Sequence, residues 1–187
     1  MIERTLLLIK PDGVSRALIG KIISCVEDSG LKVIAMKVVL PDKKTAGMHY
    51  AADEAWLNNV GNKQIATYKE KGIKINAEPR DLGIKVRNQL ITFISSGPVV
   101  PMVVEGNEAI FIVRKMIGAT EPRKSDPSTI RGRYASDSYD LADKRGTPIK
   151  NLVHASEDSK TAKREIDIWF KKSEIVSYGR ADDAAII

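Results

Sequence analysis

Apolar residues along this chain change rhythm several times, and each change marks an element. Thr5 to Lys10 is a short, nearly unbroken apolar run, the pattern of a buried strand, and Pro11-Asp12-Gly13 ends it as a turn. Ile19, Ile22, Ile23 and Val26 then recur at helical spacing with Gly30 placed as a C-terminal cap, which predicts a helix over roughly 20–29. Lys32 to Leu40 is rich in Val and Ile and stops at Pro41-Asp42, predicting a second strand; Lys43 to Ala52 has helical composition. Val99 to Glu105 reads as a third strand, entered through Ser96-Gly97-Pro98 and left at Gly106. Ala109, Ile112, Val113 and Met116 form the core stripe of a helix ending at Gly118. Leu152 to His154 is a short fourth strand. A last helix covers roughly 159–170, with Ala162, Ile166, Trp169 and Phe170 on one face.

Strand, helix, strand, helices, strand, helix, strand, helix is the order of a split βαβ unit, so the expected class is α/β (α+β) with a ferredoxin-like core. Such a core hosts many unrelated functions, and function has to be read from the site. Two polar segments exceed a minimal version of it. Asp53 to Ile94, with Lys69-Glu70-Lys71 and Pro79-Arg80-Asp81, reads as an exposed insertion. Tyr134 to Lys150, punctuated by Gly146 and Pro148, also looks enlarged. With 187 residues and 43% hydrophobic residues the chain fits a single domain over 1–187 with an expanded segment at about 53–94.

Charge and cysteine usage narrow the classes of function. A net charge of +6 favours anions such as nucleotides or nucleic acid, although surplus lysines also serve solubility. Cys25 is alone, so no internal disulfide forms, and one Cys with two His cannot build a structural zinc site. No apolar run reaches transmembrane length, and the run at Leu6 to Ile9 is too short for a signal-peptide core. A soluble protein in a reducing cytoplasm, with no membrane association, is the expectation.

The chemistry concentrates in Asn151-Leu152-Val153-His154-Ala155-Ser156-Glu157-Asp158-Ser159, where one of two histidines ends an apolar run just before a polar helix start. Imidazole can act as nucleophile, base or metal ligand near neutral pH, or simply finish a strand. The thirteen glycines contain no Gly-x-Gly pair, and Gly20-Lys21 lacks the upstream glycine of a Walker A loop, so a P-loop does not hold phosphate here. Lys10-Pro11-Asp12-Gly13, Arg114 to Pro122, Thr129-Ile130-Arg131-Gly132 and Asn151-x-x-His154-x-Ser156 occur in one order over nearly the whole chain. Together they resemble the nucleoside diphosphate kinase family.

That resemblance implies a four-stranded antiparallel sheet covered by helices and an enzyme: a phosphotransferase that moves the γ-phosphoryl group of a nucleoside triphosphate, typically ATP, to a nucleoside diphosphate, maintaining NTP and dNTP pools. It implies a ping-pong route in which His154 becomes phosphohistidine, Glu165 orients the ring, and Ser156 assists near the transferred phosphate. Lys10, Arg114 and Arg131 match the family's phosphate-binding cations, Thr120 and Asn151 its contacts to phosphate and sugar, and Tyr50 a tyrosine close to the histidine. His49 is expected in helix packing or solvent. No protein metal site is implied; Mg2+ arrives on the nucleotide phosphates, with Glu157 or Asp158 reaching it through water. A homo-oligomer, hexamer or tetramer, is implied, with 114–133 matching the intersubunit loop. The chain departs from the family pattern at Ala155-Ser156-Glu157 and at Arg133-Tyr134, where an acidic and an aromatic residue are usual. Trp56 is a candidate to stack on the base, although between Ala55 and Leu57 the core reading is the favoured one. A basic RNA-binding module needs aromatics on its sheet and has too few in Phe93, Phe111 and Phe170, so nucleic acid is not an expected partner. An inactive scaffold fits poorly with the full set of matched residues.

Overall fold

The computed structural model describes residues 2–70 and 72–181, so Lys71 of the Lys69-Glu70-Lys71 run lies outside the described residues. Backbone packing resolves two compact units, one of residues 1–40 with 97–187 and one of residues 41–96.

The first unit is built on a four-stranded antiparallel sheet, as the resemblance implied. Its strands are β1 (Ile2–Ile9), β2 (Lys32–Met36), β3 (Val100–Asn107) and β4 (Val153–Ala155), in the spatial order β2-β3-β1-β4. β1 lies at the centre, pairing with β3 from Ile2↔Asn107 to Ile9↔Val100 and with β4 at Leu7↔Ala155, Leu8↔His154 and Ile9↔Val153. Both faces of β1 are covered, which is why Leu6, Leu7, Leu8 and Ile9 form a continuous apolar run without alternation. On one face Leu7, Ile9, Met102, Val104, Val153 and Ala155 pack with Ile22 and Val26 of helix α2 (Ile19–Asp28) and with Val113 and Ile117 of helix α6 (Ala109–Ile117). Successive side chains on a strand point to opposite faces. His154, between Val153 and Ala155, is therefore turned away from that core.

Elsewhere in this unit, the Pro11-Asp12-Gly13 turn is the start of a one-turn helix, α1 (Pro11–Ser15), with Pro11 opening it. β2 stops at Met36 rather than Leu40, because its register slips between Val33 and Ala35 and only an isolated bridge, Val39↔Val99, follows. β3 runs on through Gly106 to Asn107. The enlarged Tyr134 to Lys150 stretch contains helix α8 (Tyr139–Arg145), preceded by α7 (Ile130–Tyr134). The last helix, α9 (Ser159–Trp169), is capped by Asp158, whose side chain accepts from Thr161 N.

The second unit is helical. It holds α3 (Lys43–His49), capped by Asp42, and the long pair α4 (Glu54–Glu70) and α5 (Pro79–Ile94), so the segment read as exposed insertion is an α-helical hairpin. Its two helices touch backbone to backbone. A Cβ on Gly61 would strike the Pro79 carbonyl, and one on Gly83 the Leu57 carbonyl. Trp56 is half-buried on α4, and Arg80 pairs with Glu54 at 2.9 Å on the surface.

Helix propensity favours Ala over Gly by about 1 kcal/mol, whereas overpacking a close contact costs about 1–3 kcal/mol. With backbone on the other side, the second effect should win. Gly83→Ala is expected to lower the thermal midpoint of unfolding; an unchanged or raised midpoint would show that the helices can separate without cost.

Candidate active site

β4 is reached through a backbone reversal that organises the site. Leu152 has φ +69°, rare for a branched side chain, and Val153 N donates to Asn151 O at 2.8 Å across it, a γ-turn. The left-handed residue is also why β4 begins at Val153 and not at Leu152. On either side of the turn, Asn151 and His154 carry two groups of polar contacts.

The first group surrounds Asn151. Lys10 Nζ donates to its Oδ1 at 2.8 Å, and its Nδ2 donates to Thr120 O at 2.8 Å. Arg131, almost fully buried, donates through Nε to Asn151 O at 3.2 Å, through Nη1 to Gly118 O at 2.8 Å and through Nη2 to Val153 O at 2.9 Å. The guanidinium therefore spends three donors on backbone carbonyls and keeps two of its five for a ligand. Burial lowers the Lys10 pKa to about 8, with the Arg131 charge adding to the shift and Asp12 opposing it. Burial likewise lowers Arg131 to about 10, aided by Arg114. Arg114 itself is exposed on α6 and has no hydrogen-bond or ion-pair partner among the described residues.

The second group surrounds Glu165, a carboxylate only 2% exposed on the inward face of α9 with Ala162, Ile166 and Trp169. His154 Nε2 lies 2.8 Å from its Oε2, and Ser156 Oγ donates to the same oxygen at 2.7 Å. Arg164 Nη2 sits 3.3 Å from Oε1. Ser156 thus does not cap α9, and its hydroxyl is committed to Glu165. A buried carboxylate that accepts from the ring fixes the tautomer with Nε2–H and leaves the lone pair on Nδ1.

Tyr50 belongs to the helical unit. It ends α3 beside His49, with ring centroids 4.8 Å apart at 69°, and both residues are buried. Arg87 of α5 pins this helix end by donating to Gly47 O at 2.7 Å, Tyr50 O at 3.0 Å and Ala51 O at 3.2 Å. Neither Arg87 nor Arg164 stands in a motif, and Asp12 enters the sequence pattern only within the Lys10-Pro11-Asp12-Gly13 run, with no role of its own.

A histidine held against a buried carboxylate, with buried cations on the same backbone turn, is an arrangement that suits phosphoryl transfer. The family model described as nucleoside diphosphate kinase matches residues 3–57 and 81–175. The nucleoside diphosphate kinase of Pyrobaculum aerophilum is 42% identical over 180 residues, 94% of this chain and 98% of that protein. That of Borreliella burgdorferi is 39% identical over 183 residues, 98% and 96% of the two chains. Among solved structures, an NDP kinase from Pyrobaculum aerophilum superposes with a TM-score of 0.91 at 41% identity, covering 95% of this chain and all (100%) of that one. A Borrelia burgdorferi nucleoside-diphosphate kinase, a transition state mimic with bound vanadate and ADP, gives 0.79 at 38% identity over 99% and 96% of the chains. The chain belongs to the nucleoside diphosphate kinase family, enzymes that move a phosphoryl group from a nucleoside triphosphate to a nucleoside diphosphate. Residues 58–80, between the matched segments, lie outside the family model and include most of α4 and the first two residues of α5.

The shifted lysine has a signed consequence. Its folded pKa of about 8 lies below the unfolded value of 10.5, so between those pH values the unfolded chain binds more protons and stability rises with pH. Below about pH 8 the charged, buried lysine costs roughly 3 kcal/mol by the same linkage. Lys10→Met is therefore expected to be more stable than the parent at neutral pH, the difference closing towards pH 10. Chemical denaturation of both chains across that range checks this, and a constant difference would refute it.

Proposed function

We propose that His154 carries the phosphoryl group between two nucleotides. What supports this reading above all is the 2.8 Å contact between His154 Nε2 and the buried Glu165 carboxylate. A ring so held attacks with Nδ1. The Nδ1–P bond forms as the bond from the γ-phosphorus to the β,γ-bridging oxygen breaks, and the nucleoside diphosphate leaves with that electron pair. Glu165 stabilises the positive charge that grows on the ring during transfer, and the proton on Nε2 stays between them. A second nucleoside diphosphate then attacks phosphohistidine by the reverse path, so two easier steps replace one.

Lys10 and the two remaining donors of Arg131, both side chains largely buried, would meet the phosphate oxygens, where preorganised charge acts most strongly. Arg114, exposed beside them, would close on the phosphates from outside. Asn151 and Thr120 would contact phosphate and sugar, and Ser156 would act near the transferred group through Glu165; for Tyr50, in the helical unit, a part in the reaction rests on the family resemblance alone. ATP and a range of diphosphates are the substrates on this reading. The structures of relatives hold ADP with vanadate in one case and CDP in another. Mg2+ would enter with the nucleotide, neutralising its phosphates; the exposed carboxylates of Glu157 and Asp158, hard oxygen donors just beyond His154, suit its bound waters. Among the described residues no helix is long and apolar enough to cross a membrane. The resemblance supports a hexamer or tetramer working in the cytoplasm.

Incubation with γ-labelled ATP should leave acid-labile, base-stable label on the protein that GDP removes. His154→Ala should carry none while remaining folded, and label retained in that variant would refute the reading. Arg114→Ala should lose about 2–4 kcal/mol of transition-state stabilisation in kcat/KM, by analogy with removal of other preorganised donors. Lys69→Ala, exposed near the end of α4, is the control and should lose nearly nothing. Equal kcat/KM for the two variants would remove Arg114 from the site.

A further inference from the structure

Asp12 takes no part in the phosphoryl transfer just described, yet it is one of the few buried carboxylates, 8% exposed, and it touches the backbone turn on which the site is hung. Its Oδ2 accepts from Leu152 N at 3.0 Å, while Lys10 N donates to Leu152 O at 2.8 Å. The left-handed Leu152 is therefore gripped at both its N–H and its C=O by residues of one short segment, Lys10 to Asp12. Its neighbours Asn151 and Val153 are gripped through their carbonyls by Arg131. Nothing within Leu152 itself favours φ +69°, so the conformation persists because these outside contacts determine it.

A single backbone N–H could be satisfied by the amide oxygen of an asparagine, so the hydrogen bond alone does not explain a carboxylate. Among the described residues Asp12 Oδ1 is buried without a hydrogen-bond partner, an arrangement that is costly unless the charge is used. Around it, Lys10 and Arg131 are two buried cations that repel each other, and each is stabilised in its charged form by Asp12. Among the described residues, the charges that act on Lys10 are those of Arg131, which disfavours its ionised form, and Asp12, which favours it.

We propose that Asp12 is a positioning residue of the phosphoryl-transfer site, holding the γ-turn that sets Asn151 and His154 through the Leu152 N–H and supplying the counter-charge that keeps Lys10 and Arg131 together as cations. The proposal rests on the reading of Lys10 and His154 given above. The two halves separate by substitution. Asp12→Asn keeps the acceptor and removes the charge; Asp12→Ala removes both.

The experiment is kcat/KM for transfer from ATP to GDP as a function of pH, together with hydrogen exchange of the Leu152 amide. kcat/KM reports ionisations of the free enzyme. If loss of the counter-charge drops the Lys10 pKa by about one unit, the ratio of parent to Asp12→Asn should grow about sixfold between about pH 6.5 and about pH 8.5. A ratio that does not change with pH overturns the electrostatic half. In Asp12→Ala the Leu152 amide should exchange much faster, and kcat should fall at least about tenfold at both pH values, more than KM rises. An amide as protected as in the parent overturns the geometric half. Should Asp12→Asn fail to fold, Lys10→Met is added to it: folding restored by removing the cation supports the counter-charge, and a double variant that also fails to fold overturns it. Label on His154→Ala would instead sink the phosphohistidine reading, and the Leu152 exchange rates would still judge Asp12.

Discussion

Everything at this site depends on charges taken out of water and compensated by neighbours that the fold places beforehand. Glu165 is the clearest case. A carboxylate in an apolar helix face is expensive unless its oxygens are hydrogen-bonded, and His154, Ser156 and Arg164 meet it at 2.8, 2.7 and 3.3 Å. Two of those three donors come from β4 or the residue just after it, so the compensation is available only when β4 sits in register beside β1. On the proposed reading the same carboxylate also selects the reacting atom, because the ring nitrogen that serves Glu165 cannot be the one that attacks. Stability of the α9–sheet packing and choice of reacting atom are thus one interaction seen from two sides.

The cations follow the same logic with the opposite sign. Lys10 and Arg131 are buried and hold their charge less readily than usual, which makes them costly in the empty protein and, on the proposed reading, would strengthen their effect on a phosphate. Their hydrogen bonds to Asn151 and to three carbonyls hold them in place before a ligand arrives, so little reorganisation is left for the reaction. The strained turn at Leu152 is the common anchor. It lies between Asn151 and His154, and a site of this kind stores strain where surrounding contacts can enforce it.

Much of this was legible in the chain. The strand and helix order follows from periodicity; His154, Ser156, Lys10, Arg131 and Asn151 stand in ordered motifs, Glu165 comes from the family resemblance, and the fold brings them into two contact groups. Glu165 could also be found without any motif: Ala162, Ile166 and Trp169 define an apolar stripe, and an acid at the i+3 position of that stripe is an anomaly that a helical wheel exposes. Other features leave no such trace. Arg131 reads as one cation among 30 basic residues, and only the structure reveals that carbonyls take three of its donors. Asp12 looks like turn chemistry because its partner, the Leu152 amide, is 140 residues away. The α4–α5 hairpin was missed as structure since α4 is polar on most of its surface and its close approach uses glycines, Gly61 and Gly83, which hydrophobic periodicity does not register.

The central claim is that Glu165 fixes which ring nitrogen reacts. Phosphorylate the protein containing 15N-labelled histidine with ATP, remove nucleotide, and correlate phosphorus with nitrogen by NMR under alkaline conditions, where the N–P bond survives. The account predicts phosphorus bonded to Nδ1 of His154, with Nε2 still carrying its proton towards Glu165. Phosphorus on Nε2 would contradict it, because that nitrogen could not then be the one the buried carboxylate holds.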